Sequence, residues 1–334
     1  MELGSLMYVG ISRTQEIVVA LEEFKTSGKP VVAVGDYFSQ DQYLLASYAD
    51  ELIAHPIGGA ALEGFSMYHN FYAEALDKLS VSMHVFRAGE HKSAAEPYLR
   101  SDMSTAQKSN ALEWLEDLWA SYTSTVEANR ELPSGAVDAY VNGYASRLVA
   151  GDGDSAKDAL DAGLIDQLLT RSQANEYLSD MVGARNEDGG YEAVAFEKYL
   201  WNQRTLKIPG TGEPKVAVIV AQGNMLPGDQ SPGTIGADSL ATMISKTAAD
   251  ESVKAIVLRV TTPGGSMFAS EIIRQQILEV RANGTPVVVS MGSIAASGGY
   301  YIAAAADEIF ATKTTITGSI GVIAVFPTFE NLLQ

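Results

Sequence analysis

One serine in this sequence stands where a serine could act as a nucleophile. The segment Met291-Gly292-Ser293-Ile294-Ala295-Ala296-Ser297-Gly298-Gly299-Tyr300 sets Ser297 among small residues, where an apolar run gives way to a helical pattern. A helix N-terminus offers unpaired backbone N–H groups and a dipole that favours a nearby anion. Gly298 leaves the N–H after the serine open to a carbonyl oxygen. A second loop, Thr262-Pro263-Gly264-Gly265-Ser266, follows the apolar strand Ala255–Val260 directly. Paired glycines let backbone donors approach a ligand closely, and donors so held form an oxyanion hole. Each loop alone has a plainer explanation: Ser297 capping a helix, and Thr262–Ser266 making a tight turn. Together they are more specific.

A serine nucleophile needs a base. The four histidines are His55, His69, His84 and His91, and none follows His91. No histidine therefore lies in the half of the chain that carries Ser297, and a Ser-His-Asp triad cannot form within it. The G-x-S-x-G pattern is broken by Ala295, and S-x-x-K occurs nowhere. There is no cysteine, which excludes a thiol nucleophile, a Cys-ligated zinc and disulfides. A lysine can serve as the base if desolvation lowers its pKa toward neutrality.

An internal repeat organises the elements that must position these residues. Gly28-Lys29-Pro30-Val31-Val32 matches Gly284-Thr285-Pro286-Val287-Val288 at a separation of 256. Asp50-Glu51-Leu52-Ile53-Ala54 matches Asp307-Glu308-Ile309-Phe310-Ala311 at 257, so one residue is gained between, expected in a loop. The helix before each also matches, Ile17, Leu21 and Phe24 pairing with Ile273, Ile277 and Val280. A repeat this long means two related domains rather than a solenoid. The position matching Ser297 is Gln40, in a segment without paired glycines, so the first copy keeps the scaffold and not the loop chemistry.

Residues 1–207 are read as the first domain, 208–214 as a Pro- and Gly-rich linker, and 215–334 as the second. The second opens on Val216-Ala217-Val218-Ile219-Val220, which suits a buried parallel strand. Ala255–Leu258, a helix over Glu271–Val280 and a strand over Pro286–Ser290 follow, an α/β pattern. The first domain adds a helix from the N-cap Ser104 to Arg130 and a short one over Ser155–Asp161.

The chain has 334 residues, 46% hydrophobic and 19% charged, an ordinary globular composition that excludes disordered and collagen-like classes. A net charge of −18 speaks against a broad nucleic-acid surface. No apolar run is long enough to span a bilayer as a helix. The start lacks a signal-peptide pattern and the end follows a strand-like run, so the chain is expected to be cut at both ends, with the second domain incomplete at its C-terminus.

The Pro-Gly-Gly-Ser loop, Ala295-Ala296-Ser297-Gly298-Gly299-Tyr300, Thr317-Gly318-Ser319-Ile320-Gly321 and His91-Lys92-Ser93-Ala94-Ala95-Glu96-Pro97-Tyr98 resemble the signal peptide peptidase A (protease IV) family in its long, tandem form. One departure is Thr261-Thr262, where the family carries Asn-Ser. The resemblance implies two tandem Clp-protease/crotonase-like α/β domains with a Ser–Lys dyad split between them. Ser297 matches the nucleophile, Lys92 the general base and Ser319 a serine that orients the lysine. Gly265 and Gly298 match the oxyanion donors. The repeat counterpart of Lys92 would be position 349, beyond Gln334, so the lysine belongs to one copy and the serine to the other. His91 is a rival base.

The resulting expectation is a serine endopeptidase that degrades cleaved signal peptides and similar hydrophobic peptides, with no metal or cofactor. The resemblance adds a homotetramer at the periplasmic face of the bacterial inner membrane, attached through an anchor this chain lacks. The rivals are a crotonase-type acyl-CoA enzyme and a catalytically inactive scaffold of the same fold.

Overall fold

The computed structural model describes every residue except Tyr8, Glu90, His91, Asp188, 204–212 and 331–334. The linker expected at 208–214 lies outside the described residues apart from Glu213 and Pro214. The first elements are α1 (Ile11–Lys25), β1 (Val32–Phe38), α2 (Gln40–Ala46), β2 (Glu51–Ala60), α3 (Ala73–Lys78), β3 (Ser82–Ala88) and α4 (Glu96–Leu99). Then come α5 (Thr105–Asn129), α6 (Ala136–Ala150), α7 (Ser155–Asp161), β4 (Gln167–Leu168), α8 (Arg171–Val182) and α9 (Phe196–Gln203). The last part holds β5 (Lys215–Gln222), β6 (Met225–Leu226), β7 (Ile235–Gly236), α10 (Ala237–Ala248), β8 (Val253–Thr262) and α11 (Met267–Ala282). It ends with β9 (Val287–Ala296), α12 (Gly298–Ala303), β10 (Glu308–Phe310), β11 (Ile316–Gly318) and β12 (Val322–Thr328).

Two compact units emerge, Met1–Phe65 with Leu118–Pro209, and Ser66–Asp117 with Gly210–Gln334. Residues 66–117, read from sequence as part of the first domain, thus group with the second half of the chain. Lys92 and Ser297 fall in the same unit.

The first unit carries a parallel sheet in the order β1-β2-β4. Phe38, Tyr43, Leu52, Ile53, Tyr122 and Ile165 are buried around it. The second unit carries the parallel sheet β10-β9-β8-β5, with β11 also on β9. On β8 burial alternates, and Ile256, Leu258 and Val260 are sealed against Ile273 and Ile277 of α11. Each such side chain contributes about 1.5–3 kcal/mol relative to exposure.

Three expectations need correction. β5 is parallel to β8 but forms the sheet edge, and its Val216, Val218 and Val220 are exposed. Helix α10 lies between β5 and β8, where none was expected; two parallel neighbours require such a crossover. Its signal was present in Leu240, Ile244 and Ala248 at helical spacing. Finally, Ile17 and Phe24 are exposed on α1, whereas their counterparts Ile273 and Val280 are buried.

The repeat itself is reproduced in register. Val32 faces Glu51 as Val288 faces Glu308, and Phe38 faces Ala60 as Ala295 faces Thr317. The gained residue lies within the strand, where one residue, Asp36, separates Gly35 from Tyr37, and two, Gly292 and Ser293, separate Met291 from Ile294. A strand irregularity absorbs an extra residue by kinking rather than by shifting every side chain to the other face. Even the polar staples recur. Asp50 accepts the Val31 N–H at 2.7 Å and pairs with Lys25 at 3.0 Å, while Lys25 also reaches the Tyr48 carbonyl. Asp307 accepts the Val287 N–H at 2.8 Å and pairs with Arg281 at 2.7 Å, while Arg281 also reaches the Ala305 carbonyl.

These partners hold both carboxyls below their ordinary pKa, the Val31 N–H foremost at Asp50 and the Arg281 guanidinium foremost at Asp307. A folded-state pKa below the unfolded one gives stability that is present above the unfolded pKa and lost as pH falls through the folded one. Asp50→Ala and Asp307→Ala should each cost about 1–2 kcal/mol in urea unfolding at neutral pH, mainly by orphaning a backbone N–H. The penalty should shrink below about pH 4, where the unfolded carboxyl is itself protonated.

Candidate active site

β9 ends at Ala296, and the next residue turns sharply into α12. Ser297 has φ 52° and ψ −112°, a conformation that a non-glycine residue rarely adopts. Such strain costs on the order of 1–3 kcal/mol and persists only where the surroundings enforce it. The enforcing bond is the Ser297 N–H donating to the Gly318 carbonyl at 2.8 Å, delivered by β11 alongside β9. The Ser297 side chain makes no capping bond to α12, which removes the plainer explanation of this serine. Instead its Oγ receives a hydrogen bond from the Lys92 Nζ at 2.8 Å.

Lys92 arrives through a ribbon. β3 pairs antiparallel with β12, from Ser82 opposite Thr328 to Ala88 opposite Val322. Lys92 lies just after β3 and Ser319 just before β12, so the register brings them together. Glycines permit the close approach at this end: a methyl on Gly89 would stand 2.7 Å from the Ile320 carbonyl oxygen, and one on Gly321 2.2 Å from that of Ala88. Beyond Lys92 the strap is pinned by Glu96, whose carboxylate accepts the Ser104 N–H at 2.9 Å and its hydroxyl at 2.6 Å. Ser104 in turn accepts the Gln107 N–H at 3.1 Å, the N-cap expected for α5.

The Lys92 Nζ also reaches the Ser319 carbonyl at 2.7 Å and the Ser319 Oγ at 3.2 Å. No carboxylate among the described residues forms an ion pair with it. Burial lowers the Lys92 pKa below that of an ordinary lysine. A neutral amine has two N–H donors and one lone pair. In that neutral state, with both N–H groups turned to Ser319, the lone pair would face Ser297 and the 2.8 Å contact would run from the serine hydroxyl to the amine.

The glycine loop lies against the same serine. A methyl on Gly264, which has φ 103°, would stand 2.8 Å from both Ser297 Cβ and the Gly298 nitrogen. β6 clamps the loop, the Met225 N–H donating to the Gly264 carbonyl at 2.9 Å and the Met225 carbonyl accepting the Ser266 N–H at 2.8 Å. Among the described residues the N–H groups of Gly265 and Gly298 donate to no protein acceptor. The structure thus brings Ser297, Lys92, Ser319, Gly265 and Gly298 into one neighbourhood. His91 lies outside the described residues.

In the first unit the counterpart residue Gln40 is tied up. Its side-chain oxygen accepts the N–H groups of Glu63 at 2.9 Å and Gly64 at 2.8 Å, and its amide donates to the Gly64 carbonyl at 3.1 Å. Sequence reasoning missed Met225 and the Gly318 carbonyl, which act through backbone atoms that residue type does not announce. Among the described residues no cluster of acidic or histidine side chains could hold a metal. No helix among them is long and apolar enough to cross a membrane.

The α/β scaffold presents a strained serine to a half-buried lysine, and comparison with known proteins supplies the family. The sequence model of Peptidase family S49 matches residues 23–185 and 279–334, and this chain belongs to that family. The two matched segments contain the paired strand motifs of the repeat, Gly28–Ala54 in the first and Gly284–Ala311 in the second. Protease 4 of Haemophilus influenzae is 42% identical over 94% of this chain and 51% of its own length. Protease 4 of Salmonella typhi is 43% identical over 94% of this chain and 50% of its own. The chloroplastic serine protease SPPA of Arabidopsis thaliana is 28% identical over 97% of this chain and 47% of its own. The chain therefore spans about half the length of the curated relatives it matches.

Proposed function

We propose that this protein is a serine endopeptidase in which Ser297 is the nucleophile and Lys92 the general base. The observation that carries this reading is the 2.8 Å contact between Lys92 Nζ and a Ser297 Oγ that serves no capping role. Neutral Lys92 takes the Ser297 proton as Oγ attacks the peptide carbonyl. The N–H groups of Gly265 and Gly298 receive the developing oxyanion. Protonated Lys92 then gives its proton to the leaving amine, and water, deprotonated by the same lysine, releases the acyl group from Ser297. Ser319 holds the amine by its carbonyl and hydroxyl oxygens, which keeps the lone pair on the serine.

Cleaved signal peptides and similar hydrophobic peptides are the proposed substrates. Exposed Met267 and Phe268 follow the glycine loop, and exposed Ile320 follows Ser319, so apolar surface flanks the site on both sides in the chain. An extended peptide would add along a strand edge. By resemblance, the whole protein works as a homotetramer at the periplasmic face of the bacterial inner membrane. The test is hydrolysis of a fluorogenic apolar peptide by this chain. Cleavage that disappears in Ser297→Ala supports the proposal, and cleavage undiminished in that variant refutes it.

The pH dependence follows from Lys92. Only its neutral form can accept the serine proton, so kcat/KM should rise with pH through the Lys92 pKa and then level off. Because burial depresses that pKa, the rise should be centred below the ordinary lysine value of about 10.4. A rise centred at or above that value would contradict the assigned base.

A further inference from the structure

We infer that Thr262 is the positioning residue of the oxyanion hole, its hydroxyl setting the Gly264–Gly265 peptide and its methyl supporting the Gly298 arm. The inference rests on Ser297 being the nucleophile. Thr262 ends β8, opposite Ala295 on β9, two residues before Ser297. It is 0% exposed, so its hydroxyl can find partners only within the protein. Both partners are on one residue: Oγ1 accepts the Gly264 N–H at 3.0 Å and donates to the Gly264 carbonyl at 3.3 Å.

That carbonyl also accepts the Met225 N–H at 2.9 Å. The carbonyl of Gly264 and the N–H of Gly265 belong to one planar peptide and point in opposite directions. Anchoring the carbonyl on Thr262 and Met225 therefore aims the Gly265 N–H the other way. Glycine at 264, with φ 103°, has a wide choice of conformations, so the loop cannot hold this orientation by its own stiffness.

The methyl does separate work. A methyl on Gly299 would stand 2.6 Å from Thr262 Cγ2, so the threonine methyl packs directly against the backbone that follows Gly298. One buried side chain thus touches the residue before one proposed donor, Gly264, and the residue after the other, Gly299. The hydroxyl is the functional part, since a hydrogen bond fixes direction and a methyl contact fixes only distance.

The prediction separates the two parts. Thr262→Val keeps the shape and loses the hydroxyl; Thr262→Ser keeps the hydroxyl and loses the methyl. With a fluorogenic apolar peptide, Thr262→Val should lose about 10²-fold in kcat, as for a displaced transition-state donor. Its KM should stay within about 3-fold, because the donor matters least in the ground state. Thr262→Ser should restore kcat to within about 5-fold of the wild type. If Thr262→Val fails to fold, Thr262→Ala and Thr262→Ser decide: a serine variant as slow as the alanine variant overturns the inference. A folded Thr262→Val with wild-type kcat also overturns it, as does a loss expressed in KM alone. Wild-type activity that does not depend on Ser297 would instead defeat the peptidase reading, which keeps the two failures apart.

Discussion

Lys92→Ala, Ser297→Ala and the double variant should all lose the same several orders of magnitude in kcat/KM. Residues that act as a unit are not additive, because removing either one disables the step that needs both. In the proposed mechanism the 2.8 Å contact joins them as such a unit. Without Lys92 the Ser297 hydroxyl has no base among the described residues with which it makes a hydrogen bond, and its proton must go to water. Without Ser297 the lysine has nothing to deprotonate. Comparable constellations lose on the order of 10⁴–10⁶ in kcat on removal of one member. A double variant markedly slower than either single variant would show that the two residues act in separate steps.

Gly264→Ala should have the second largest effect. Its φ of 103° is unfavourable for any side chain, and its Cβ would meet Ser297 Cβ and the Gly298 nitrogen at 2.8 Å and the Ala296 carbonyl oxygen at 3.1 Å. None of these is the end of a flexible side chain, so the loop and the turn at Ser297 must part. Displacing one oxyanion donor costs about 10²–10³ in kcat, and this change would move both of the proposed donors, Gly265 and Gly298. Gly284→Ala is the matched control. It has φ 90° but open space around the added methyl, so it carries the strain without the collision. It should lower the melting temperature and leave kcat near the wild type. Equal activity losses in the two variants would mean that strain alone, and not the shape of the site, explains the glycine.

Much of this was legible in the sequence because the repeat supplied an internal control. The contrast between Ser297 and Gln40 pointed to the copy in which loop chemistry is proposed, and the scarcity of histidine pushed the proposed base toward lysine. The staples at Asp50 and Asp307 lie within the motifs that revealed the repeat. What could not be read depends on three-dimensional backbone placement. The grouping of residues 66–117 with 210–334 follows from β3 pairing with β12 across more than 200 positions of chain, and no local pattern encodes that partner. The extra residue in β9 was assigned to a loop because alternation alone cannot reveal a strand irregularity. Val216, Val218 and Val220 suggested a strand buried on both faces, since composition does not distinguish an edge from a centre. Thr262 stood out only as a departure from the family pattern, and the bonding of its hydroxyl to both the N–H and the carbonyl of Gly264 is visible only in three dimensions.

The most direct test of the central claim is to treat this chain with a fluorophosphonate and locate the adduct by peptide mass spectrometry. These reagents require a serine made nucleophilic by its surroundings. A single stoichiometric adduct is expected on the peptide containing Ser297, formed faster as pH rises and abolished in Lys92→Ala. An adduct on another serine, or labelling of Ser297 at an undiminished rate in Lys92→Ala, would contradict the central claim.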